Sequence, residues 1–214
     1  MSSNDHWQKI HQIEYKDADW INKPSIFAQQ AIEYFPKTGK LLELGAGQGQ
    51  DSRYFAEHGY EVLSTDLEDS ALELSRSKTP KQLVPKLTVQ KLDLKTPLAF
   101  ANNSFDIVYA HLSLHYFSDQ DTKRIFADIY RVLKSGGIFA FFTNSTSDPE
   151  YGSGETIEPD YFMVDGVAKR YFTVQTASAY AETFDVKLAD NNGETYKDLA
   201  KGVHNLIRYI GIKR

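Results

Sequence analysis

The sequence predicts an α/β fold: a seven-stranded, mostly parallel sheet with an antiparallel last strand and helices on both faces. Three observations carry this. Short apolar runs alternate with helix-like stretches from about residue 22 onward. A glycine-rich turn follows the first of those runs. A short polar connection containing Asn191-Asn192-Gly193, rather than a full amphipathic helix, separates the last two, which suits an antiparallel pair.

Strands rich in Leu, Val, Ile and Phe are expected at 40–44, 61–65, 87–92, 105–110, 137–143, 184–189 and 204–212. Helices are expected at 25–35, 50–58, 69–78, 119–133 and 173–183. The fourth shows the clearest pattern. It sets Ile125, Phe126, Ile129, Val132 and Leu133 at helical spacing, with Ser118 or Asp119 as its cap and Ser135-Gly136-Gly137 as its stop. Residues 1–214 are read as one domain, with 1–36 as an N-terminal helical cap or lid and 145–170 as an insertion between the fifth strand and the last helix. Within the insertion Asp148, Glu150, Glu155, Glu158, Asp160 and Asp165 face only Lys169 and Arg170, so an acidic loop is the simplest description.

Composition narrows function. The chain has 214 residues, 41% of them hydrophobic and 25% charged, which is ordinary for a globular protein. A net charge of −5 provides no positive field to gather phosphates, so nucleic acid is not expected as a partner. The chain has no cysteine, which removes disulfides, thiolate metal sites and cysteine nucleophiles. No apolar run approaches membrane-spanning length and the first residues are polar, so a cytoplasmic protein without a membrane partner is expected.

The chemistry gathers at three strand ends. Residues 40–49, KLLELGAGQG, run from a strand into Gly45, Gly47 and Gly49 and then a helix, a turn that lets a ligand approach backbone N–H groups. The spacing departs from the dinucleotide fingerprint, because position 50 is Gln50, and a pyrophosphate cradle is disfavoured. Asp66 ends the second strand, where one carboxylate accepts both hydroxyls of a ribose; a helix-capping role is the alternative. Asp93, between Leu92 and Leu94, suits an exocyclic amine such as that of adenine, with an ordinary loop acid as the alternative.

These features together resemble the class I S-adenosylmethionine-dependent methyltransferases over roughly residues 25–145. The resemblance rests on LLELGAGQG, VLSTD with Asp66, KLDL with Asp93, SFDIVYAHLSLHYF at 104–117 and RVLKSGGIFAFF at 131–142. It implies a Rossmann-like sheet and S-adenosyl-L-methionine as cofactor, with S-adenosyl-L-homocysteine as product. It further implies Glu43, Gly45, Ala46 and Gly47 beside the methionine part, Asp66 on the ribose, and Asp93 with Leu94 at the adenine. Leu67 would pack on the ring, and Ala110 and His111 would follow the fourth strand into the methionine end. The N-terminus is more loosely similar to small-molecule methyltransferases of the tellurite-resistance and thiopurine type, through Trp7, Tyr15, Trp20 and Pro24. Trp7, Tyr15, Trp20 and Tyr116 are accordingly expected as a substrate lid, although Glu14 stands where those relatives often carry a basic residue.

Methyl transfer depends on alignment more than on covalent help from the protein. His111 and His115 are candidate bases for an acceptor that must lose a proton, and packing or capping histidines are the alternative. No third ligand at defined spacing accompanies them, so no metal is expected. A small-molecule acceptor is expected. The acidic insertion hints that it is cationic or amine-bearing, with Glu155 and Glu158 as contacts. A non-catalytic nucleoside-binding protein and a nicotinamide-dependent oxidoreductase are the other readings.

Overall fold

The structure, a computed structural model, describes residues 22–195 and 204–214. The elements are α1 (Ile26–Ala31), a 3-10 turn (Ile32–Tyr34), β1 (Lys40–Leu44), α2 (Gln50–Glu57), β2 (Glu61–Asp66), α3 (Asp69–Lys78) and β3 (Leu87–Lys91). They continue with β4 (Phe105–His111), a 3-10 turn (Leu114–Tyr116), α4 (Asp119–Val132), β5 (Leu133–Thr143), β6 (Glu155–Glu158), β7 (Tyr161–Val164), β8 (Val167–Arg170), α5 (Val174–Tyr180), β9 (Phe184–Glu194) and β10 (His204–Lys213). Trp7, Tyr15 and Trp20, and with them most of the expected N-terminal cap, lie outside the described residues.

The main sheet has seven strands in the order β3-β2-β1-β4-β5-β10-β9. Strands β3, β2, β1, β4 and β5 pair in parallel, while β10 runs antiparallel to both β5 and β9. This is the predicted Rossmann-like class. Strand order reverses between β1 and β4, and the carboxyl ends there form the crevice in which such sheets take ligands.

Alternation along the strands divides the core into two layers. Leu42, Leu44, Val108, Ala110, Phe139 and Phe141 point to one face, where Ile125, Phe126, Ile129 and Val132 of α4 cover them. Leu41, Ile107, Tyr109, Ile138, Ala140 and Phe142 point to the other, against Phe27 of α1 and Phe55 of α2. Caps set the helix starts: Ser118 accepts the Asp121 N–H at 3.1 Å, and Thr173 forms a capping box with Thr176.

Two expectations are corrected here. The helix expected over 119–133 ends at Val132, and Ser135-Gly136-Gly137 lies inside β5 instead of stopping the helix. Leu133 is fully buried as the partner of Phe105, and the register then jumps so that Ile138 meets Ile107. The glycines sit in this irregularity, Gly136 with φ +74.

The acidic stretch 145–170 is not a plain loop, because β6, β7 and β8 form a three-stranded antiparallel sheet around Phe162, Val164 and Tyr171. Most of its acids have partners. Glu150 pairs with Lys169 at 2.6 Å, Asp160 accepts the Tyr151 hydroxyl at 2.7 Å, and Asp148 accepts the Glu150 N–H at 2.8 Å. Glu158 pairs with Arg170 and also accepts the Asp119 N–H at the first turn of α4, at 2.8 Å. Arg170, only 5% exposed, donates to the Phe117 carbonyl at 3.0 Å and the Pro159 carbonyl at 3.3 Å. Tyr161 adds a hydroxyl bond to the Tyr116 carbonyl at 3.2 Å. The insertion is thus clamped onto the segment that leaves β4, and Glu158 belongs to the clamp rather than to a free acidic surface.

Arg170→Ala should cost about 3 kcal/mol in urea unfolding, because it removes several hydrogen bonds and leaves Glu158 without its cation. The double change Arg170→Met with Glu158→Leu should recover much of that loss; a single variant as stable as the parent would show that the clamp does not hold.

Candidate functional site

The turn after β1 follows a narrow path. Gly45 has φ +70, and a Cβ added there would lie 2.3 Å from the Ser113 Cβ. Ser113, in the turn that leaves β4, donates its hydroxyl to the Leu44 carbonyl at 2.6 Å. Gly49, with φ +73, caps α2 and leaves room for Ser75 of α3, whose Oγ would lie 2.3 Å from an added Cβ. The Ala46 N–H bonds to the Thr65 carbonyl at 2.8 Å, so the turn is also fixed to the end of β2.

Asp66 stands at that end. Its Oδ2 accepts the Gly47 N–H at 2.7 Å and its Oδ1 accepts the Glu68 N–H at 3.0 Å. A carboxylate has about four lone-pair positions, so each oxygen retains capacity for one hydroxyl of a ribose. Leu67 beside it is 36% exposed, an apolar surface open to a flat ring. Asp93 is half-buried beyond β3, with Oδ1 accepting the Lys95 N–H at 2.8 Å, and Leu94 is buried next to it. Glu43, Gly45, Ala46, Gly47, Asp66 and Leu67 therefore converge on the carboxyl ends of β1 and β2, with Asp93 and Leu94 following β3.

Beneath the turn lies a buried polar network. Glu43, 2% exposed, receives the Ser52 hydroxyl at Oε2. Burial foremost, and then the neighbouring charge of Asp51, push the Glu43 carboxyl well above the usual carboxylate range. Asp51 accepts the Ser25 N–H at 2.6 Å, the Ser25 hydroxyl at 2.7 Å and the Tyr109 hydroxyl at 2.9 Å. That network joins the start of α1 to α2 and β4. Arg53 donates to the Gln48 carbonyl at 2.7 Å, and burial lowers its pKa.

On the β4 side, Ala110 is fully buried and His111 stacks on Phe142 with ring centroids 4.9 Å apart. Burial lowers the His111 pKa, and Asp51 opposes part of that shift. Leu112 follows with φ +51, a conformation that costs a non-glycine residue energy and is held by its N–H bond to the Phe142 carbonyl at 2.9 Å. His115 is 2% exposed, its ring centroid is 3.9 Å from that of Tyr116, and its buried Nδ1 has no hydrogen-bond partner among the described residues. Burial, reinforced by the charges of Lys169 and His111, depresses it to about 3. His115 is therefore neutral near pH 7, which suits a hydrogen-bonding group better than a base matched to that pH.

Among the described residues no group of three or more His, Asp or Glu side chains could hold a metal ion. Sequence reasoning missed Ser25, Asp51, Ser52 and Ser113. Nothing in a lone serine or a helix-starting Asp marks it, since the partners of Ser25 and Ser113 lie 26 and 69 residues away.

Residues 42–141 match the family described as a methyltransferase domain. An uncharacterised methyltransferase of Synechocystis sp. is 32% identical over 101 residues, covering 47% of this chain and 45% of that protein. A sarcosine/dimethylglycine N-methyltransferase of Aphanothece halophytica is 32% identical over 112 residues, covering 51% of this chain and 39% of that one. The chain thus spans less than half the length of these two curated relatives. A SAM-dependent methyltransferase of Methanosarcina mazei shares the fold, with a TM-score of 0.72 and 19% identity over 86% of this chain and 96% of the other.

Gly45→Ala should both destabilise the protein and weaken ligand binding at the crevice by tenfold or more, because strain and the Ser113 clash act together. Ligand affinity equal to that of the parent would show the turn to be uninvolved. His115 also sets a pH dependence. Its folded pKa of about 3 lies below the unfolded value near 6.5, so the unfolded chain binds more protons between the two, and stability falls as pH drops through that window. Between pH 7.5 and pH 5.0 this group should remove about 2 kcal/mol of unfolding free energy. His115→Phe should flatten that part of the profile in urea titrations.

Proposed function

We propose that this chain, whose residues 42–141 match a methyltransferase domain, is a class I S-adenosylmethionine-dependent methyltransferase that methylates a small amine-bearing acceptor by in-line transfer. The observation that carries the reading is the convergence of the glycine-rich turn after β1 and Asp66 at the end of β2, beside the topological switch between β1 and β4. The residues fit the cofactor. Asp66 would hold the ribose, Leu67 and Leu94 would flank the ring, Asp93 would meet its amine, and Glu43, Gly45, Ala46, Gly47, Ala110 and His111 would surround the methionine end. When bound, the cofactor supplies a methyl group on a sulfonium; the protein's work is to align the acceptor and exclude water.

The acceptor side is the turn after β4, with Ser113, His115 and Tyr116, beside the clamped insertion. The neutral His115 lies buried in this turn, its Nδ1 without a partner among the described residues, and packs on Tyr116. Similarity to the sarcosine/dimethylglycine enzyme supports an amine acceptor. The acids of the insertion add less support than their number suggests, because Asp148, Glu150, Glu158 and Asp160 already have partners while Glu155 and Asp165 are exposed.

Isothermal titration with S-adenosylmethionine and S-adenosylhomocysteine should show binding of both, and Asp66→Ala should lose about 1–3 kcal/mol, or roughly fivefold to 150-fold in Kd. An unchanged Kd would remove Asp66 from the site. A radiolabel screen over small amines should then find turnover. Its kcat/KM should rise with pH toward the amine's own pKa, because the depressed His115 does not take up the ammonium proton; binding without turnover on any acceptor would favour a sensing role.

A further inference from the structure

Charge is distributed unevenly along this chain. Residues 76–95 carry Arg76, Lys78, Lys81, Lys86, Lys91 and Lys95 against Asp93 alone, a local balance of +5 in a chain whose total is −5, so the remaining residues sum to −10. The structure places this run at one margin of the sheet, from the last turn of α3 through the edge strand β3, which pairs only with β2. Of the six cations all but Lys78 are exposed. Lys91 pairs with Asp69 at 2.6 Å and Lys78 donates to the Gln48 side chain at 2.6 Å, whereas the ammonium groups of Lys81, Lys86 and Lys95 enter no ion pair or hydrogen bond among the described residues.

Lys81 and Lys86 bracket a turn with an apolar tip. The Leu83 N–H bonds to the Pro80 carbonyl at 2.9 Å, and the Leu83 carbonyl accepts the Lys86 N–H at 2.8 Å and the Leu87 N–H at 3.0 Å. Leu83 is buried in the core layer beneath, which leaves its neighbour Val84 turned outward at 60% exposure, the highest of any large hydrophobic residue among those described. Pro85 beside it is exposed as well. Three anionic partners differ in what they require of such a surface. An added strand needs open backbone groups. The Lys86 carbonyl and the Leu92 N–H face β2, so by alternation Leu87, Val89 and Lys91 face the free edge; there the Leu87 N–H is occupied by Leu83 and the Val89 carbonyl accepts Arg76 at 3.2 Å. A single-stranded nucleic acid needs stacking platforms, and residues 61–99 contain no aromatic side chain. A bilayer with anionic headgroups uses both features present, because lysines meet its surface potential while Val84 and Pro85 enter the interface.

We propose that the β3 margin, led by Lys81, Val84 and Lys86, is a docking surface for an anionic lipid bilayer. The contact is superficial: no helix among the described residues is long and apolar enough to cross a membrane, and none is needed. The chain's negative total conceals this surface, because a net charge averages over a field that acts within a Debye length. One apolar tip and a few lysines give weak, reversible attachment that salt weakens further. The proposal stands apart from the cofactor reading, since the turn lies at the amino end of β3 while Asp93 follows its carboxyl end.

The experiment is co-sedimentation of the full chain with large unilamellar vesicles of phosphatidylcholine alone, or of phosphatidylcholine and phosphatidylglycerol in equal parts, over a series of salt concentrations. Partition onto the anionic vesicles should exceed that onto the neutral ones by about tenfold or more at low salt, and should fall as salt rises. Lys81→Glu combined with Lys86→Glu should lower it by about tenfold or more. Val84→Asp should lower it severalfold with the lysines intact, and Val84→Leu, one methylene larger, should raise it about threefold. The gain expected of Val84→Leu does not depend on how well the charge-reversed protein folds. No preference for anionic vesicles at low salt overturns the proposal, as does a preference that survives the double charge reversal. Anionic binding that ignores both Val84 changes shows attraction to any polyanion without entry into the interface and also overturns it. Tighter binding to a single-stranded oligonucleotide than to the anionic vesicles assigns the surface to nucleic acid instead, with the same consequence.

Discussion

The site depends on one close approach, Ser113 against the bare α-carbon of Gly45. It brings the turn leaving β4 onto the turn leaving β1, and the hydroxyl bond to the Leu44 carbonyl holds the two together. The turns leaving β1 and β4 are therefore held against each other, and the left-handed backbone at Leu112 is a local cost of that arrangement. Alignment is the main demand of the methyl transfer proposed above, and a fixed relation between these two turns would meet it without any covalent participant.

Electrostatics form the second layer. Glu43 at the end of β1, Asp51 on α2 and His115 in the turn after β4 are almost fully buried. Each answers burial differently: Asp51 gathers three donors, Glu43 takes the Ser52 hydroxyl and is pushed toward its neutral form, and His115 sheds its proton. Neutralising a buried group, or surrounding it with donors, are the two ways a protein keeps polar atoms where a ligand will need them.

The insertion plays a quieter part than its composition suggests. Arg170 and Glu158 join β8, β6 and the start of α4, and Tyr161 reaches the Tyr116 carbonyl, so the small sheet stands as a fixed wall beside the turn after β4. Charge counted along a sequence takes no account of pairing. Here pairing consumes most of it, since only Glu155 and Asp165 of the insertion's acids stand exposed without an ion-pair or hydrogen-bond role described above.

What the sequence determined by itself is governed by short-range pattern: the seven strands of the main sheet and their alternation, the antiparallel last strand, the glycine turn, and the acids that end β2 and follow β3. Period-two burial, capping and the conformational freedom of glycine act within a few residues, so Leu41 and Leu42 already announce opposite faces. Only the tertiary structure decided the rest. It turned Ser135-Gly136-Gly137 from a helix stop into a strand irregularity, because Leu133 gains more from the sheet interior than from another helical turn. It also made partners of Ser113 and Gly45, of Ser25 and Asp51, and of Arg170 and the turn after β4. Those contacts form across the crossovers of a parallel sheet, where residues far apart in the chain meet at neighbouring strand ends, and no local pattern encodes them.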